Sequence, residues 1–443
     1  MWFVVYDFVW KIGVSEADIT PPKGVELWGY TGRITFEAEG IHDPLKVKAA
    51  VFSNGETTAI VISADLGAIP RKVVENVKRR IFEKYGVPAE NIIIAATHTH
   101  SGPAVVPLRR AGEKVDEKYV YLVERKIITV IEEALSNLSE GEVFFAKGFA
   151  EKLAFDRRRK GSPVDSEVPL IALFKKNALQ GLIVNYACHP VCLGEENLLV
   201  SADYPCYLYD TLSRVYGKQL TTVFLTGACG NIDPVWRGRG YKYAERMGRA
   251  LAGEVIRALE TSREALLEEI KCVKTVVKLE TEELPSLNEL LSEKARLEEE
   301  LRKLRKEIPV IADVREAVEI HSREAFLSWT MEAIELVKRG EVKSEYELEI
   351  QVLEIGDVFI VGLSGEIFSE LGLAVKELCR KRALVVGYAN GDIGYIPTDK
   401  AIDEGGYEIE NAFKYYKEYP YPPKKGWEKI ILNAVKRLLA DLK

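Results

Sequence analysis

The stretch from Val47 to Ala96 constrains the fold more than any other part of the chain. Val47–Ser53 and Thr58–Ala64 are rich in β-formers and are separated by Asn54-Gly55, a hairpin signal. Lys72–Tyr85 then places Val73, Val74, Val77, Ile81 and Phe82 on one helical face. Ile92–Ala96 follows as a short apolar run of the buried-strand type. Strand, helix, strand at this spacing predicts a βαβ unit and hence an α/β fold.

The alternation continues along the chain. Lys118–Leu138 reads as a helix, Val168–Phe174 and Gly181–Ala187 as paired strands, and Tyr204–Tyr216 as a helix. Thr221–Leu225 reads as a buried strand and Lys242–Thr261 as a helix. Glu347–Glu354, Val358–Gly362 and Leu384–Gly387 read as strands, with Glu366–Arg380 helical between them. The segment 286–340 differs in character. Ser286 and Glu289 form a capping box after Pro285, and Leu290, Leu297, Leu301, Leu304 and Ile308 fall near a/d spacing until Pro309. A second helix spans roughly Asp313–Arg339. The expected architecture is one catalytic domain over 1–443, a mixed sheet flanked by helices, with a helical hairpin inserted at 286–340. A dimerising coiled coil is the alternative for the hairpin, but too few heptads are sustained. A homo-oligomer formed through the insertion stays open.

Composition removes several function classes. With 443 residues, 47% of them hydrophobic, the chain affords a large core and is not disordered. A net charge of -7 argues against a nucleic-acid scaffold. No apolar run reaches the roughly 18 residues that span a bilayer. The opening MWFVVYDFVWKIG lacks a basic leader and a cleavage site, so it reads as a strand and not a signal peptide. The six cysteines form no CxxC pair, which fits a reduced, cytoplasmic protein. Glutamine occurs only as Gln180, Gln219 and Gln351, a bias towards a thermophile.

The chemistry gathers in four loops, each following an apolar strand, where ligands collect in open α/β sheets. The first is Thr97-His98-Thr99-His100-Ser101-Gly102-Pro103; if strand geometry continues, His98 and His100 point the same way towards one metal or one substrate. The second, Cys188-His189-Pro190, adds a third imidazole, and zinc is commonly held by His nitrogen with carboxylate oxygen. The third is Gly227–Pro234 (GACGNIDP), where Asn231 and Asp233 are candidates to project into a site, or merely to close a tight turn. In the fourth, Glu366 is either a helix N-terminal acid or a metal carboxylate, and GYANGDIGYIP at 387–397 supplies tyrosines. Only five histidines are present, and His42 and His321 lie elsewhere, so a mixed His/carboxylate site is easier to assemble than an all-His one. No GxSxG elbow, P-loop, HExxH or strand-following GxGxxG occurs.

Taken in order, Ile12–Pro22 (IGVSEADITPP), Gly29-Tyr30, HTHSGP at 98–103, Asn185–Pro190 with Ser201-Ala202-Asp203, GACGNIDP at 227–234, Gly365-Glu366, and Gly394-Tyr395 followed by Tyr407-Glu408 resemble the neutral/alkaline non-lysosomal ceramidase family. The resemblance implies a Zn2+ hydrolase in which metal-activated water attacks the carbonyl of a small-molecule or lipid-like N-acyl amide. It implies His98, His189, Glu366 and Tyr395 as zinc ligands. It places His100, Arg157 and Tyr407 near the scissile group, Arg157 or Tyr407 as oxyanion donors and His100 as a candidate general acid.

The sequence departs from the family at three points. Asp233 stands where the family carries a Ser, Ala104-Val105-Val106 replace glycines after HTHSGP, and about 35 residues follow Tyr407, too few for the family's C-terminal immunoglobulin-like domain. Asp233, as a further catalytic candidate, motivates a second reading: a zinc hydrolase of an ester, lactone or glycosidic bond. A non-catalytic metal-binding protein is the third.

Overall fold

The computed structural model describes residues 9–442. Of the apolar N-terminal run, residues 1–8 lie outside the described residues; the strand that follows is Lys11–Asp18. Three sheets carry the fold. The first runs Ile92–Ala96, Thr58–Ala64, Lys46–Ser53, Lys11–Asp18, with Ser139–Glu140 at its far edge. Thr58–Ala64 and Ile92–Ala96 pair in parallel, Ile60 opposite Ile92, and helix α1 (Arg71–Tyr85) makes the crossover between them. The expected βαβ unit is present. Gly86 closes α1 in the left-handed conformation, φ 69°, its amide bonded to the Phe82 carbonyl.

Helix α2 (Glu117–Ser136) leads into the second sheet, which runs Thr221–Thr226, Ala178–Tyr186, Glu167–Lys175, Glu142–Phe149 and Glu264–Ala265. Its first two strands are parallel, and α3 (Tyr204–Tyr216) lies between them in the chain; α4 (Tyr241–Ser262) follows. The third sheet runs Ile270–Glu280, Glu345–Ile355, Val358–Leu363 and Ala383–Val386. Between its first two strands the chain makes two long helices, α5 (Leu287–Glu307) and α6 (Val314–Arg339). Helix α7 (Ser369–Leu378) connects its last two, which are parallel.

The period-two alternation of strand side chains divides the core. In Lys46–Ser53, Val47, Ala49 and Val51 face the helices, whereas Ala50 and Phe52 face inward. That inner layer is shared by all three sheets: Ile12, Val61 and Ile93 meet Ile171, Ile183 and Val223 of the second sheet and Leu353, Ile360 and Leu384 of the third, all fully buried. The sheets are therefore held by a common dry core, and the carboxyl ends of their parallel strands open on one region. The outer edge of Ile92–Ala96 is covered by the third sheet's loop: the Asn390 amide donates to the Ile94 carbonyl (2.7 Å), and its side chain accepts from the Ile94 amide (3.1 Å).

The capping box at Ser286 and Glu289 is formed in full. Helix α6 is tied to the body by His321, whose Nδ1 lies 2.9 Å from the Thr31 carbonyl, and by Trp329 Nε1, which donates to the Pro420 carbonyl (2.8 Å). His321 is thus a structural residue, as its place on an amphipathic helix suggests.

Two features differ from the pattern reading. Helix α7 starts at Ser369, not Glu366; Glu366-Ile367 is a short strand parallel to Tyr395-Ile396, its geometry fixed by the Glu366 amide bonding to the Gly394 carbonyl (2.9 Å). Glu366 is therefore not a helix-terminal acid. The 11-residue strand Ile270–Glu280 has no counterpart in the pattern reading, because its lysines interrupt the apolar alternation on its exposed face. Among the described residues no helix is long and apolar enough to cross a membrane.

Candidate metal centre

The strand Ile92–Ala96 ends before the first histidine. His98 adopts the left-handed conformation (φ 65°), its amide bonded to the Leu66 carbonyl (2.8 Å), so the chain turns instead of continuing as a strand. The turn, and not strand alternation, brings the His98 and His100 rings to 4.9 Å between centroids. Backbone strain of this kind at a non-glycine residue is stored where surrounding contacts fix it. His189 leaves the strand Ala178–Tyr186 and is held by its own amide and by Nδ1, each 3.1 Å from the Ile232 carbonyl.

The three imidazoles converge within 4.8 Å. His98 Nε2 lies 3.4 Å from Glu366 Oε2, His189 Nε2 lies 3.3 Å from the same oxygen, and His100 Nε2 lies 3.3 Å from His98 Nε2. Two donors bound to one tetrahedral zinc at 2.0–2.1 Å are about 3.3 Å apart. The outer nitrogens complete the pattern: His98 Nδ1 faces the Gly67 carbonyl at 2.6 Å, as His189 Nδ1 faces that of Ile232. Each carbonyl holds the proton on Nδ1 and turns a lone pair of Nε2 inward, the arrangement that orients metal-ligating histidines. The residues present fit a zinc-like divalent ion.

His100 differs from the other two. Its Nδ1 is buried without a hydrogen-bond partner, and a Cβ on Gly29 would lie 2.5 Å from that nitrogen. Gly29 (φ 98°) is thus required both for its backbone conformation and for the seat of the ring. Burial, with His98 and His189 beside it, holds His100 well below the usual imidazole value, so the ring is neutral at pH 7.

A polar shell surrounds the cluster. Arg157 donates from Nη2 to the Tyr395 hydroxyl (3.0 Å), from Nε to Glu408 (2.9 Å) and from Nη1 to Asp233 (3.3 Å). Asp233 also accepts from Arg237 Nη1 (2.5 Å). Burial alone would raise the Asp233 carboxyl, but Arg157 and Arg237 pull it below its ordinary range. Tyr395, one of the expected ligands, is a neutral phenol: burial holds it well above its usual value against the opposing pull of Arg157. Tyr407 is half-exposed at the rim, 6.1 Å from the Tyr395 ring. The fourth loop of the sequence analysis also supplies Tyr388, which stacks on His98 at 3.8 Å.

One group of the cluster has no sequence signal. The Tyr416 hydroxyl donates to Glu366 Oε1, leaving Oε2 for the imidazoles. Tyr416 sits in an aromatic-rich loop whose spacing points to no site.

The cluster opens into a cleft of about 1020 Å³. Its lining mixes charged residues, Arg157, Arg159, Arg237 and Glu195, with the apolar Trp28, Leu108, and Val318 and Phe326 of α6.

These observations define an α/β protein with a largely buried cluster of three histidines and one carboxylate at its strand ends. Residues 10–214 match the family described as neutral/alkaline non-lysosomal ceramidase, N-terminal. A neutral ceramidase of Mycobacterium tuberculosis is 29% identical over 218 residues, covering 44% of this chain and 34% of that protein. One from Pseudomonas aeruginosa is 27% identical over 255 residues, covering 52% and 37%. The matched stretch thus spans about a third of these relatives' length. The crystal structure of neutral ceramidase from P. aeruginosa shares the fold, with a TM-score of 0.74 at 20% identity over 98% of this chain and 75% of that one. Over the matched stretch the chain is similar to the neutral/alkaline non-lysosomal ceramidases.

Proposed function

We propose that the protein is a zinc-dependent amidohydrolase that cleaves an N-acyl amide with the chemistry named for its ceramidase relatives. The observation that carries this reading is the spacing of His98 Nε2, His189 Nε2 and Glu366 Oε2, at 3.3–3.4 Å, with both Nδ1 atoms held by carbonyls. His98, His189 and Glu366 would hold the ion, with Tyr395 completing the set. When bound, the metal supplies Lewis acidity for the carbonyl and lowers the pKa of water.

The chain's own residues do the rest. Arg157 is fixed by Glu408 and Asp233, and its guanidinium offers a donor where negative charge develops on the acyl oxygen. His100, neutral, accepts a proton at Nε2 and can pass it to the departing amine. Tyr407 lies at the rim, where it contacts the substrate. Asp233 acts as a positioning residue: two arginines hold it ionised, so it has no proton to give a leaving group. That supports an amide over a glycosidic bond. The proposal keeps the whole chain as one catalytic domain with 286–340 inserted, and a reducing, intracellular setting fits six cysteines that are all unpaired.

The test is a chelator-stripped protein assayed on N-acyl amides, esters, lactones and glycosides. Zinc restoring amide hydrolysis is the expected result. Activity on glycosides with none on amides would overturn the reading. Gly230→Ala probes the scaffold: its Cβ would meet the Glu366 carbonyl oxygen at 2.4 Å, so the backbone that carries the carboxylate must move. Disturbing such support lowers metal affinity about 10–100-fold, measurable by competition with a chromogenic chelator.

A further inference from the structure

The loop joining α5 to α6 opens with five apolar residues in a row, Ile308-Pro309-Val310-Ile311-Ala312, before the capping Asp313. Val310 is 77% exposed, and Pro309 and Ala312 are exposed beside it. Hairpin tips are ordinarily polar, since nothing there is covered. The flanks change sign relative to the chain as a whole. From 302 to 316 five cations face three acids, in a protein of net charge -7. Asp313 caps α6 by accepting the Glu316 amide (2.9 Å), Glu316 accepts the Ala312 amide (2.8 Å), and four of the cations pair with carboxylates: Arg302 and Lys303 with Glu299, Arg305 with Glu324 and Arg315 with Asp313. Lys306 pairs with no carboxylate among the described residues.

The tip also has a defined relation to the cleft. The first turns of α6 pack on the loop that follows Tyr30: a Cβ on Gly32 would lie 3.1 Å from Val314 and 3.0 Å from Val318. Val318, eight residues beyond Val310, lines the cleft itself.

We propose that this tip is an interfacial anchor that inserts Val310 and its apolar neighbours into a bilayer bearing anionic headgroups, holding the cleft mouth at the lipid surface. Apolar residues flanked by Lys and Arg are what such an interface recognises. A second copy of the chain is the weaker occupant, because stable protein interfaces bury about 800 Å² on each partner, more than a five-residue tip presents.

The test sediments the full-length protein with large unilamellar vesicles of phosphatidylcholine, alone or containing phosphatidylglycerol. The wild type should partition onto the anionic vesicles and less so at high salt. Val310→Asp should lower that partition at least tenfold with an unchanged thermal midpoint, and Lys306→Glu should reduce the preference for phosphatidylglycerol. A wild type that stays in the supernatant overturns the proposal. So does equal partition of wild type and Val310→Asp, equal partition onto both vesicles, or a wild-type dimer dissociated by Val310→Asp without vesicle binding. The readout needs no turnover, so it stands or falls separately from the hydrolase reading.

Discussion

Replacing His98 by alanine should strip the protein of its metal and lower amide hydrolysis by about 1,000-fold or more. The imidazole is fully buried, faces Glu366 and His100 through Nε2, and is fixed by the Gly67 carbonyl, so no other side chain can take its place. Lewis-acid assistance is worth several kcal/mol of barrier, and each 1.36 kcal/mol is tenfold in rate. Metal content by mass spectrometry and turnover on an N-acyl amide check it together. Stoichiometric zinc with full activity in His98→Ala would sink the site assignment. The pH dependence has a definite sign. Burial holds His189 and His100 below the usual imidazole value, so protons compete poorly for the donor nitrogens. Metal should be retained below pH 6.5 and be lost as pH falls through those depressed values.

Arg157→Ala carries the second large effect, and it divides into two. Loss of an oxyanion donor lowers kcat by about 100–1,000-fold with little change in KM. The same change leaves Glu408 without one of its two arginine partners and Asp233 with Arg237 alone, both carboxylates being buried. Breaking a buried pair costs about 3–5 kcal/mol, an upper bound here because each acid keeps one cation. Arg157→Lys separates the parts: it keeps the charge but loses the three-way fork, so stability should recover more than kcat. Equal recovery of both would argue that Arg157 is structural alone.

Much of this arrangement was legible in the sequence, for reasons that particular residues make clear. Ile92–Ala96 announces itself because a buried parallel strand must be apolar on both faces. His98, His189 and Glu366 could be found because each sits within a few residues of such a strand. What failed was local geometry. The expectation that His98 and His100 align along a continuing strand missed the left-handed turn at His98; histidine is enriched there among non-glycine residues, but too few adopt it for the residue type to signal the turn. Glu366 looked like a helix cap because the chain does enter α7, but pairing with Tyr395-Ile396 delays the helix by three residues. Tyr416 was missed altogether. It reaches Glu366 across 50 residues of chain, and nothing in its neighbourhood carries a period or motif.

The candidate donors at positions 98, 189 and 366 each follow a strand of a different one of the three sheets. A ribosome therefore releases both imidazoles long before the carboxylate that joins them. A nascent chain that has folded only its first two sheets holds an incomplete coordination set, and an ion that meets it early has no acidic partner to neutralise its charge. Capture of a metal would thereby be deferred until the third sheet docks and the Gly387 and Asn390 amides bond to the Thr226 and Ile94 carbonyls. An ion held there would act as a late latch on the whole assembly, and the first rupture on heating the ion-free protein should fall at the seam between the third sheet and the other two.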